Sequence, residues 1–184
     1  MRYTRDFAVT VLVLCVLGVV AGVSWSLLAP RPPYAATDEG AVLADPSTQA
    51  LIAADGWFAV VTGAFGLACG ALGYALSRKG SPLAVVLGLV TGGLVAAYLT
   101  MTVGGVVNLG AATVTASGPG ASLVPGPLKL TAPGVLVAWP MLAAGLFFAL
   151  EAVAGYRESP LRRPLAGQDL HGPPAVYDAD VDGR

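Results

Sequence analysis

Two carboxylates stand out in a chain otherwise poor in charge: Asp55, in "AADGWF", and Glu151, in "FFALEAVAGYRES". An acid inside an apolar helix, or at its mouth, can bind a cation or relay a proton, and transporters keep such residues within their spans. Asp55 precedes a long apolar run and would sit at the outer mouth of a helix interface. Its alternative role is to cap that helix where Gly56 loosens it, since an interfacial carboxylate stays hydrated at little cost. Glu151 lies near the end of its own apolar run, with Arg157 six residues on, and can reach the headgroup region. Asp55 and Glu151 are therefore the candidate functional carboxylates.

Other chemistry-bearing residues lead less far. Asp38, Glu39 and Asp45 lie in "YAATDEGAVLADPST". Glycoside chemistry needs two carboxylates set apart across a pocket, and adjacent acids in a loop supply no pocket. Asp178, Asp180, Asp182 and Gly183 imitate the start of a calcium loop, but no acid stands at its twelfth position, so no metal site is expected. His171 is the only histidine and has no placed partner for a metal site or a triad. Cys15 and Cys69 fall inside apolar runs without a C-x-x-C and read as small packing residues. There is no Gly-Lys-Ser/Thr phosphate loop and no H-E-x-x-H. Neither catalytic residues nor a cofactor are expected, and the chain is not read as an enzyme.

The elements that must position the two acids follow from composition. Of 184 residues, 55% are hydrophobic and 11% charged, and the mean hydropathy is +0.73; soluble domains carry about a quarter charged residues. Four segments lack Lys, Arg, Asp and Glu: 7 to 30, 56 to 77, 80 to 128 and 130 to 150. Each is long enough for a spanning helix of about 20 residues, and the third is long enough for a span plus a loop. The expected fold is an all-α integral membrane protein, a four-transmembrane-helix bundle with spans near 7–29, 57–77, 82–104 and 133–154. Two external loops and a disordered cytoplasmic tail, 156–184, complete it. Residues 1–155 form the membrane domain. A cleaved signal peptide is the rival reading of the first span, whose apolar run is too long for one.

Prolines and glycines punctuate these spans. Pro30, Pro32 and Pro33 stop the first. Asp45 before Pro46 is a helix start, a capping carboxylate followed by a residue that needs no amide partner, so the second helix should begin there and run to about Ser77. Ser81 and Pro82 repeat that signal, and Gly104 and Gly105 should end the third span. Span four should follow Pro133 and end at Gly155, kinked by Pro140. Arg2, Arg5, Arg78, Lys79, Arg157, Arg162 and Arg163 fall on one side, against Arg31 and Lys129 on the other. The positive-inside bias places the first side, with both termini, in the cytoplasm of a plasma-membrane protein.

Within span two, Gly63, Gly66, Gly70 and Gly73 fall in an arc of about 80° at 3.6 residues per turn. Val61, Phe65 and Leu72 lie on the other side. In lipid, where apolar burial no longer drives helices together, a bare face lets two backbones approach. Gly18 and Gly22 in span one and Gly88 and Gly92 in span three repeat the pattern at four-residue spacing. These glycines form a candidate helix-packing face, either within the bundle or toward a homo-oligomer or membrane-protein partner. The lipid bilayer is the remaining partner. A net charge of −1 without a basic stripe excludes nucleic acid.

Between spans three and four, "VVNLGAATVTASGPGASLVPGPLKLTAPG" alternates β-branched and small residues around "SGPG" and reads as a short hairpin or an irregular loop. The proline-bearing tail is basic near the membrane and acidic at its end.

The block "ADGWFAVVTGAFGLACGALGYALSRKGSPLAVVLGLVTGGLVAAYLTMTVGG", residues 54 to 105, resembles an uncharacterised family of small actinobacterial four-span membrane proteins, known only as a domain of unknown function. The likeness lies in the acidic-glycine-aromatic start, the glycine-rich second and third spans and the basic Gly-Ser-Pro turn. It implies an integral inner-membrane protein and carries over no catalytic residue. The expected role is an accessory or structural component of the cell envelope or of a membrane complex. A small transporter or transporter subunit, and a membrane-embedded enzyme acting on envelope precursors, are the alternatives.

Overall fold

The computed structural model describes residues 2–37, 40–44, 49–78, 81–107 and 123–158. Helices dominate it: α1 (Arg2–Leu28), α2 (Ala50–Ser77), α3 (Pro82–Val107) and α4 (Ala138–Glu158). A 3₁₀ turn, Pro133–Val137, leads into α4. All four helices are long and apolar enough to cross a membrane. The chain divides into a unit Met1–Glu151 and a second, Ala152–Arg184, of which residues 152–158, the last turns of α4, are described.

Several expected boundaries move. α2 begins at Ala50 with Gln49 at its N-cap, and Asp45 lies outside the described residues. Gly104 and Gly105 do not end α3, which continues to Val107, because the Gly104 backbone is held against the Trp25 ring; a packed neighbour outweighs poor helix propensity. Gly155 likewise stays helical, and α4 runs on to Glu158. Pro140 occupies the first turn of α4, where the amide it lacks needs no intrahelical partner, and the 3₁₀ turn stands directly before that helix.

The segments between the helices are not purely loops. Strands β1 (Pro33–Thr37), β2 (Gly40–Leu43) and β3 (Leu123–Pro125) form an antiparallel sheet in the order β2-β1-β3. Tyr34 pairs with Leu43 on one side and Val124 on the other. The strand after the proposed hairpin thus pairs with the loop that follows α1. The "SGPG" turn itself lies outside the described residues, as do Asp38, Glu39, Lys79 and the tail from 159 onward.

Glycine contacts fix how the helices lie. Gly18 of α1 faces Ala96 of α3 and Gly22 faces Thr100, while Gly88 faces Thr10 and Gly92 faces Val11 and Leu14. Equal steps in the same direction make α1 and α3 parallel neighbours. Gly66 against Trp139 and Gly70 against Ala143 do the same for α2 and α4. α1 and α3 therefore start at one pole, where Arg5 and Arg78 are exposed, and α2 and α4 start at the other.

Between the poles, Leu14, Ala21, Val61, Cys69, Val85, Leu89, Ala96, Ala97, Trp139, Ala143 and Phe147 form the main core. The outward sides are apolar as well: Leu12, Leu72, Leu76, Met141 and Phe148 are all exposed. Val61, expected on the outward side of α2, is buried, since α2 packs over a wider arc than its glycines alone occupy.

Candidate functional site

At the pole where α2 and α4 begin, Trp25, Ala29, Ala54, Phe58 and Leu128 form a second apolar cluster. The Trp25 and Phe58 rings meet edge to face at 5.2 Å, and Trp25 Nε1 donates to Ala54 O at 2.9 Å. That bond ties α1 to the first turns of α2 and satisfies an indole N–H that burial would otherwise leave unpaired.

Asp55 lies next to this bond and is only 7% exposed. Its Oδ1 accepts from Thr131 N at 3.0 Å, and its Oδ2 accepts from Ala132 N at 3.0 Å and from Thr131 Oγ1. The sequence explains why donors are free there. Thr131 and Ala132 precede the 3₁₀ turn that Pro133 opens, so their N–H groups have no carbonyl of that turn to meet. Asp55 therefore does not cap its own helix, as Gly56 suggested; it closes the start of the chain leading into α4. Hydrogen bonds to an ionised carboxylate are about twice as strong as neutral ones.

The preceding chain is a strap from Gly126 to Thr131. Gly126 N donates to Pro32 O at 2.9 Å, and the Tyr34 ring lies directly on the Gly126 backbone, where a Cβ has no room. Leu128 is buried in the Trp25 cluster. On the α1 side, Arg31 Nη2 donates to Ser26 O at 3.0 Å and to Ser26 Oγ at 3.3 Å. Desolvation lowers the Arg31 guanidinium from its usual value, yet arginine stays cationic at any physiological pH.

Glu151, the other candidate carboxylate, is exposed on α4 and does not join this cluster. The glycine candidates are all buried. A Cβ on Gly18 would lie 2.7 Å from Ala96 O, one on Gly22 2.9 Å from Thr100 O, and one on Gly66 2.7 Å from Trp139 O. Gly70 is tighter still against Ala143 O. Gly88 and Gly92 meet Thr10 and Leu14, Gly63 meets Leu142, and Gly73 meets Leu89 across the α2–α3 contact. Every one of these faces is spent against another helix of the same chain.

Sequence reasoning passed over Gly93, which abuts Pro140, and the buried hydroxyls. Thr100 Oγ1 lies 2.9 Å from Ala96 O and 3.0 Å from Gly18 O, so one donor serves two helices; Thr62 Oγ1 returns to Phe58 O at 2.7 Å. Thr62, four residues before Gly66, carried a sequence signal of this role; Thr100, eight residues after Gly92, carried a weaker one. Cys15 is half-buried and Cys69 buried, both as free thiols. Cys69 lies beside Trp139 without completing a hydrogen bond, for Trp139 Nε1 is buried and unpartnered. His171 and Asp178, Asp180 and Asp182 lie outside the described residues.

No known protein family, curated protein or solved structure matches this chain.

Proposed function

We propose that the chain is a small multi-pass protein of the plasma membrane, with both termini cytoplasmic, serving as an accessory or structural component of the envelope or of a membrane complex. The observation that carries this reading is how the polar and bare groups between the helix ends are used. The candidate packing glycines of α1, α2 and α3 meet backbone or side chains of the same chain, and Thr62 and Thr100 bond to helix carbonyls. A closely packed interior suits a rigid membrane body that presents its ends and loops to others. The outward apolar residues suit contact with lipid, and the skew of Lys and Arg supports the orientation. The resemblance to the actinobacterial four-span family belongs to this same proposal.

Crosslinking in intact membranes followed by purification in mild detergent tests the role, with topology reporters fused at each terminus testing the orientation. Recovery of a defined membrane partner at fixed stoichiometry supports it; a lone monomer with both termini outside refutes it. The transporter reading has one specific support, the 7% exposed Asp55 carboxylate between α2 and the start of α4. Ion-dependent flux in proteoliposomes that disappears in Asp55→Asn would favour it.

A further inference from the structure

The α2–α4 seam brings two backbones together without saying at which height they should stop. Gly63, Gly66, Gly70 and Gly73 repeat at near-helical spacing, so sliding α4 by one turn, about 5.4 Å, presents another glycine to each carbonyl. The apolar neighbours lost in such a slip are replaced by other apolar neighbours or by lipid, which is equally apolar. The strap does not prevent it either. Leu128 is buried in the Trp25 cluster, and Leu130, Val135 and Leu136, which follow it before α4, are partly buried against the same cluster; these contacts are apolar and non-directional, so they re-form with other apolar neighbours in a shifted register.

We infer that Asp55 is a register pin: its carboxylate, by holding Thr131 and Ala132, fixes the height at which α4 docks on the glycine face of α2. Three donors converge on this one side chain from the residues that immediately precede α4. A one-turn slip parts a nearly buried carboxylate from all three of these donors. Polar groups inside apolar interfaces set register in this way in coiled coils. Packing here is supplied by the glycines and its height by the acid. The inference rests on the four-span reading and is independent of the accessory role.

The test uses the full-length protein in membranes, with Cys15→Ala and Cys69→Ala as background. Tyr74→Cys is combined with Phe147→Cys, whose parent rings stand 6.0 Å apart, or with Ala143→Cys or Glu151→Cys, one turn to either side. A short bifunctional thiol reagent then reads the register. In the parent the 74–147 product dominates. In Asp55→Ala the ratio of native to slipped products falls about tenfold, as loss of hydrogen bonds to a charged group implies. Thr131→Val, which keeps both amide donors, lowers the ratio less. Gly66→Ala separates register from stability, because it weakens the seam but leaves the ratio unchanged. An unaltered ratio in Asp55→Ala overturns the inference; if that variant is degraded, an unaltered ratio in both Asp55→Asn and Thr131→Val does so. Absence of the 74–147 product from the parent would overturn the α2–α4 pairing itself, and the pin with it.

Discussion

Replacing Gly66 by alanine adds one methyl group where a glycine stands directly against a backbone carbonyl. The new Cβ would stand 2.7 Å from Trp139 O, whereas non-bonded heavy atoms rest about 3.5 Å apart. Trp139 O belongs to helical backbone and cannot swing aside, so α4 must withdraw by roughly 0.8 Å, the difference from that resting distance. A gap of this size forfeits a quarter to a half of each dispersion contact along the seam, and overpacking of this type costs about 1–3 kcal/mol. Alanine also removes the intrinsic helix penalty of glycine, which would mask part of the loss. Gly145→Ala controls for that, because Gly145 is helical and nothing lies within 4 Å of its added Cβ. Unfolding in mixed micelles, titrated with sodium dodecyl sulfate and followed by far-ultraviolet circular dichroism, should therefore put Gly66→Ala about 1–3 kcal/mol below Gly145→Ala. Gly66→Leu and Gly70→Leu should abolish the fold, while Leu72→Ala, at a 60% exposed position, should do little. If Gly66→Ala and Gly145→Ala agree within about 0.5 kcal/mol, the usual range for a surface change, the close-approach argument is wrong.

Two further comparisons use the same assay. Trp25 and Trp139 are both fully buried, but only Trp25 has a partner for its indole N–H. Trp25→Phe should therefore cost about 1 kcal/mol more than Trp139→Phe, and the reverse order would contradict the assignment. Thr100→Val keeps the shape and removes the hydroxyl shared with Gly18 O; a loss of about 0.6 kcal/mol is expected from hydrogen bonds measured between membrane helices, and a gain in stability would count against the α1–α3 bond.

The features legible from sequence were those with a local cause. Apolar length located four helices, Ser77 and Pro82 marked the end of α2 and the start of α3, and the spacing of Gly63, Gly66, Gly70 and Gly73 announced a bare face. What could not be read was which surface each face meets. The partner of Gly66 is a carbonyl more than seventy residues away, and nothing near Asp55 points to Thr131. Even the preference for capping was right in kind and wrong in target, because it was assigned to the helix that contains the acid. The sheet was hidden for the same reason: β3 has three residues, too few for a periodic signal, and acquires its strand character from β1 across the chain.

That sheet carries a consequence for synthesis. Tyr34 and Val124 are paired although ninety residues separate them, and at about 5–20 residues per second a ribosome needs roughly 5–18 seconds to make the intervening chain. β1 can close on β2 at once, yet its second edge waits through the production of two complete helices. Exposed edges invite pairing with other chains, so a nascent copy is most vulnerable to its neighbours during this interval. Crowded expression should therefore damage the protein before release more than after it.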